Sequence, residues 1–181
     1  DGVFSRSLLS GTWTAELIPP FESKLAPSQV TFTVSDDQPM VNLGEVALPE
    51  RINFRSVAMD PSGNPVAGVA VNARELGFDG FIRSTTTDAD GWFELDLAPH
   101  PMALMLVPPG QTLAVTHAMI NPVTDRGSVA MSRGETVEGR ITSRGIGVPF
   151  ALLEIRDSSG LMYATSLSDS DGYFSVRMEA F

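Results

Sequence analysis

The residues from Asp1 to Pro20 align without a gap on those from Asp90 to Pro109, sharing the openings Asp1-Gly2-Val3-Phe4 and Asp90-Gly91-Trp92-Phe93 and the endings Pro19-Pro20 and Pro108-Pro109. A third opening, Asp171-Gly172-Tyr173-Phe174, follows. Self-similarity at this spacing fixes the unit before any motif is weighed: the chain reads as a stretch of a tandem array, with one complete copy flanked by two partial ones. On that reading residues 1–50 are the second half of a repeat, 51–133 a whole repeat, and 134–181 the first half of another.

Each unit is small, and small domains bury a modest fraction of their surface, so many of them need staples. The chain has no cysteine for disulfides, and its two histidines, His100 and His117, fall short of the four Cys or His ligands of an ordinary structural zinc site. Apolar packing, helped by neighbouring units, has to supply the stability. The formal charge of −10 comes from acidic side chains scattered along the sequence. Such a surface repels phosphate backbones, which argues against a nucleic-acid partner and fits a soluble array. No apolar run reaches the length of a membrane span.

Short apolar runs punctuated by Gly, Pro, Asn and Asp dominate: Arg55 to Met59, Val66 to Arg74, Phe81 to Thr86, Trp92 to Leu97, Met102 to Val107, Thr112 to Met119 and Ser128 to Met131. They predict an all-β fold of tandem seven-stranded sandwiches. Pro61-Ser62-Gly63-Asn64 ahead of Pro65 and Val66 reads as a hairpin turn, with Gly145-Ile146-Gly147 ahead of Val148 as its later counterpart. Asp88-Ala89-Asp90-Gly91 and Asp169-Ser170-Asp171-Gly172 read as a second type, in which Asp oxygens bind nearby amides and glycine takes positive φ. Beyond these corners, alternation sends Phe4, Phe93 and Phe174 inward and Val3, Trp92 and Tyr173 outward.

The sequence Gly63, Pro65, Val66, Ala67-Gly68-Val69-Ala70-Val71, then Thr86-Thr87-Asp88-Ala89-Asp90-Gly91-Trp92-Phe93 and a strand ending at Pro108-Pro109, resembles the carboxypeptidase regulatory-like domain family. The resemblance implies a transthyretin-like (prealbumin-like) β-sandwich, serving as a non-catalytic module of secreted or surface-attached bacterial proteins. The chain departs from the family's usual Pro-Gly-x-Tyr, with Pro99-His100-Pro101-Met102 in one copy and Ser10-Gly11-Thr12-Trp13 in another.

No catalytic set is expected. His100 and His117 lack the His-x-x-Glu spacing of a zinc peptidase, and each reads as structural or bystander. Asp88, Asp90 and Gly91 resemble the opening of a calcium loop, but the twelfth position is Pro99 where a bidentate Glu is required, so the turn reading stands and neither metal nor cofactor is expected. An internal isopeptide bond needs a lysine in each unit; the chain's single lysine is Lys24, in a proline-flanked loop. Trp92 and Tyr173 remain as candidate ligand-binding residues, able to stack on sugars or to contact an adjacent module. The expected role is a non-catalytic structural or interaction module of a multidomain bacterial protein, extracellular or at the cell surface. Its expected partners are neighbouring modules of the same protein and a surface glycan or protein. A carbohydrate-binding module and an accessory domain of an enzyme outside this chain are the alternatives.

Overall fold

The computed structural model describes residues 2–37, 40–76, 78, 82–110, 112–156, 158 and 162–179. Asp1, Phe81 and Phe181, which bound the repeats and one expected strand, lie outside them. Among the described residues there is no helix; the secondary structure is all strand and turn, as the sequence predicts. The chain divides into two compact units, Asp1–Arg51 and Ile52–Phe181.

In the first unit, β1 (Gly11–Leu17) and β2 (Ser28–Val34) form an antiparallel ribbon. Period-two alternation sorts its side chains cleanly. Trp13, Ala15, Leu17, Val30 and Phe32 share one face, while Thr12, Thr14, Glu16, Thr31 and Thr33 share the other, where Thr14 and Thr31 lie 3.1 Å apart at their hydroxyls. The loop after the ribbon is tied back by Ala26 N–H to Pro49 O (2.8 Å) and Arg51 N–H to Lys24 O (2.7 Å). Phe4 is 61% exposed, contrary to the inward placement expected for it. The reason is pairing: residues 2–9 belong to no sheet in this unit, so no second layer covers the ring.

The second unit begins with two sheets. One runs β6 (Trp92–Leu97), β3 (Ile52–Met59), β9 (Ser128–Ala130); the other runs β5 (Ile82–Thr86), β4 (Ala70–Glu75), β7 (Met102–Val107), β8 (Thr116–Ile120). Their inward residues make the core: Phe54, Phe93, Leu95 and Leu97 from the first sheet, Val71, Ala73, Leu104 and Leu106 from the second, all nine-tenths buried or more. Phe54 and Phe93 meet as tilted rings 6.2 Å apart. Phe93 thus faces inward as the alternation requires, and Trp92 outward. Three strand starts differ from the sequence expectation: β3 begins at Ile52, paired there with Leu97, and not at Arg55. β4 starts at Ala70, because Val66 to Val69 form a turn with Gly68 at φ 73°, and β8 starts at Thr116, because Ala114 N–H is taken by Ser132 O.

The remaining strands repeat this plan. β10 (Glu135–Arg140) pairs with β15 (Tyr173–Met178) as β3 does with β6, and β13 (Leu152–Arg156) pairs with β14 (Met162–Leu167) as β4 does with β5. Between them, β11 (Thr142–Ser143) and β12 (Ile146–Gly147) close a two-residue hairpin at Arg144-Gly145, both at positive φ (52° and 82°). That is the type I′ geometry matching the twist of paired strands. Val176 is buried and Phe174 half-buried, its ring set over Gly139.

Candidate functional site: the aromatic strand ends and the junction between copies

Both Asp-Gly corners are closed by the same bonds. Asp88 Oδ1 accepts from the amides of Asp90 and Trp92, and Asp169 Oδ1 from those of Asp171 and Tyr173, all at 2.9 Å. Glycine is required at each corner: φ is 74° at Gly91 and 84° at Gly172, and an added Cβ would meet Pro65 Cβ at 2.8 Å in the first and Ile141 O at 2.5 Å in the second. Of the two carboxylates singled out as the start of a calcium loop, that of Asp88 is therefore engaged with backbone amides, one of them the amide of Asp90.

A second shared element was not among the sequence expectations. The Thr87 hydroxyl, buried, donates to Val66 O (2.8 Å) and accepts from Val69 N–H (2.9 Å). Ser168, one residue before Asp169 as Thr87 is before Asp88, donates to Val148 O (2.7 Å) and accepts from Ala151 N–H (2.9 Å). Each hydroxyl clasps the turn that leads into the next strand.

Trp92 and Tyr173 stand at the corresponding starts of β6 and β15, in separate sheets, 38% and 54% exposed. Each carries an arginine over its ring: Arg55 lies 4.5 Å from the Trp92 centroid and Arg140 5.0 Å from that of Tyr173. The two arginines are not equivalent. Arg140 is the direct cross-strand partner of Tyr173, whereas Trp92 is opposite Val57 and Arg55 reaches it diagonally. Arg55 also meets Glu94 at 3.3 Å. Beside Tyr173 a shallow groove of about 750 Å³ is lined by Glu138, Arg140, Ser166, Asp169 and Ser175.

The link between β9 and β10 is tight. β9 ends at Ala130 and β10 starts at Glu135. Between them Gly134 has φ 60°, and a Cβ there would come within 2.7 Å of both Ala114 Cβ and Met178 C and would collide with Met178 O. Arg177 Nη1 donates to Arg133 O (3.1 Å). On β8, His117 packs its ring against Tyr163 of β14 at 4.7 Å. Unlike the satisfied structural histidine expected on an apolar strand, it is not hydrogen-bonded: both ring nitrogens are buried with no such partner among the described residues.

His100 is more than a bystander. Its Nε2 lies 3.4 Å from Oε1 of the fully buried Glu75. Asp60, in the first turn of the whole copy, is held below the ordinary carboxylate pKa. The causes are first the Asn64 backbone amide and then the Asn64 side chain, with smaller help from Ser62 N–H and Arg133. Among the described residues no group of three or more His, Cys, Asp or Glu could hold a metal ion.

No protein-family model and no curated protein matches the chain. Solved structures similar to it include a streptococcal ancillary pilin, at 15% identity over 96% of this chain with a TM-score of 0.38. Another is the Bacillus anthracis TIE protein, at 12% identity over 84% of this chain with a TM-score of 0.36. The chain spans 64% of the length of the first and 29% of that of the second.

Proposed function

We propose that the chain is a run of non-catalytic β-sandwich modules of the carboxypeptidase regulatory-like kind, spacing and presenting other parts of a multidomain bacterial surface protein. One observation carries the reading. In the whole copy the first strand, β3, and the last, β9, lie side by side and parallel, Val57 opposite Ser128 and Met59 opposite Ala130. Parallel first and last strands bring the chain in at one pole of the sandwich and out at the other, so each copy adds length in one direction. Tension between the ends then loads the β3–β9 hydrogen bonds in shear, all at once. The packed junction at Gly134 passes that direction to the next copy, and the polar side chains of the corners are spent on closing turns.

Force spectroscopy of the chain held at its two ends tests this. The whole copy is expected to open in a discrete step that frees roughly 250 Å of contour, from about 3.4 Å per extended residue less the folded span. Extension with no discrete step would overturn the reading.

The exposed rings of Trp92 and Tyr173, the latter beside a groove of mixed polar and apolar lining, favour a second reading as a carbohydrate-binding module. On this reading a glycan array gives a signal that Tyr173→Ala or Trp92→Ala abolishes. A signal unchanged in both variants, or none from the parent, rejects it.

A further inference from the structure

Resting on the reading of residues 134–181 as a further copy of the whole module, we propose that the outward face of β7 and β8 is a docking surface for that copy, and that the contact of His117 with Tyr163 fixes the angle between the two. Both residues lie in the second compact unit, Ile52–Phe181. The face differs from its equivalent in the first unit. The ungapped match of Asp1–Pro20 to Asp90–Pro109 sets β1 on β7, and the ladder partners then set Gln29 on His117 and Thr31 on Met119. In the first unit those places carry hydrogen-bonded polar pairs, Glu16 with Gln29 at 3.2 Å and Thr14 with Thr31 at 3.1 Å. In the whole copy they carry Met105 with His117 and Ala103 with Met119.

As a result β7 is apolar on both sides. Met102, Leu104 and Leu106 are buried inward, while Ala103, Met105 and Val107 are half-buried outward. Strands that read apolar on both faces belong to sheets covered on both faces, and unbranched methionine adapts to an irregular partner. Exposure along β8 locates the cover: His117 is half-buried, whereas Met119, two residues further on, is 61% exposed. The covered end is the one beside the link to β10, where Ala114 N–H bonds Ser132 O at 2.9 Å.

The following copy touches this end from both of its strand pairs. From β10–β15, the backbone of Met178 closes on Gly134 together with the Ala114 side chain, leaving no room for a Cβ. From β13–β14, the Tyr163 ring meets the His117 ring at 4.7 Å and 51°, the tilted geometry that aromatic pairs prefer. Both imidazole nitrogens are buried there without a hydrogen bond among the described residues, so ring packing, not a polar bond, holds the side chain. Relative motion is the default for neighbouring modules in one chain. Residues 131–134 alone would act as a hinge, and a second contact carried by a different strand pair removes that freedom. The joint then resists bending as well as tension, which a spacer needs.

The test uses the absence of cysteine from the chain. Spin labels are attached to Thr86→Cys on β5 and Thr165→Cys on β14, both exposed, in the otherwise full chain, and the distance between them is read by double electron–electron resonance. A single narrow distribution is expected. His117→Ala and Tyr163→Ala are each expected to widen it at least twofold, whereas Tyr163→Phe, which keeps the ring, leaves it narrow. Amide protection at Leu104 and Val176, one in each copy, separates a released joint from an unfolded copy; if Tyr163→Ala unfolds β13–β14, His117→Ala, on the outward face of β8, decides alone. A broad distribution in the parent, or widths in the folded alanine variants equal to the parent's, overturns the proposal. Either result leaves the β3–β9 shear measurement as it was, since that step depends on the whole copy alone.

Discussion

Replacing Thr87 by valine keeps the shape of the side chain and removes its hydroxyl, which isolates the clasp from packing. Two backbone groups lose a partner at once: the buried Val69 N–H, bonded at 2.9 Å, and the part-buried Val66 O, bonded at 2.8 Å. A buried donor or acceptor left without a partner costs about 1–3 kcal/mol, and the second lone pair of a carbonyl softens its share, so the sum is about 2–4 kcal/mol. Thr87→Ser keeps both bonds and removes one methyl, which costs about 1 kcal/mol; serine is what the later copy uses at this place, as Ser168. Urea denaturation followed by tryptophan fluorescence measures the difference, since Trp92 sits five residues away on the strand that the corner leads into. With a urea slope of about 1–3 kcal/mol per molar, Thr87→Val is expected to lower the midpoint by roughly 1–2 M and Thr87→Ser by well under half of that. A valine variant within about 0.5 kcal/mol of the serine variant would refute the argument that the hydroxyl closes the turn.

Other perturbations follow from the same geometry. Phe150 occupies the place of Gly68, at φ 55° against 73°, and is 73% exposed, so Phe150→Gly relieves left-handed strain with little loss of burial; a gain of about 1 kcal/mol in urea unfolding is expected. Gly91→Ala drives a Cβ to 2.9 Å from Val66 N and 3.0 Å from Ala58 O at φ 74°, and a loss of more than about 3 kcal/mol is expected, checked by thermal unfolding. Asp60 has its folded pKa below the 3.8 of the free group, so its contribution is present above that value and is lost as pH falls through the lower folded pKa. Acid titration of stability is therefore expected to be shallower below pH 4 in Asp60→Asn than in the parent.

The sequence carried the all-β architecture because hairpin chemistry is local. Asp-Gly corners, the Pro-flanked turn after Asp60 and the inward Phe93 each depend on a few adjacent residues and on a period of two. What it did not carry depends on partners distant in the chain. Thr87 fell just past a strand expected to end at Thr86, and only the approach of Val66, 21 residues earlier, reveals the clasp. The same clasp displaces the start of β4 from Val66 to Ala70, since a turn closed by a side chain leaves its backbone outside the ladder. Phe4 matches Phe93 in sequence yet is exposed, because inward and outward have meaning only when a second sheet is present. His100 carried no motif, and its contact with the buried Glu75 arises where the ends of β4 and β7 meet. The clasp was in principle findable: Thr87 and Ser168 precede the two aspartates identically, and a hydroxyl kept at a repeat position is a request for a bond.

Both Asp-Gly corners are closed by the same bonds, which gives their polar residues the same structural role. Native-state hydrogen exchange, resolved amide by amide, reads this directly. The amides of Val69 and Ala151, and those of Trp92 and Tyr173, are expected to exchange as matched pairs, slowed far below unstructured rates by their bonds to Thr87, Ser168, Asp88 and Asp169. Free exchange of either member of a pair while its counterpart stays protected would contradict it.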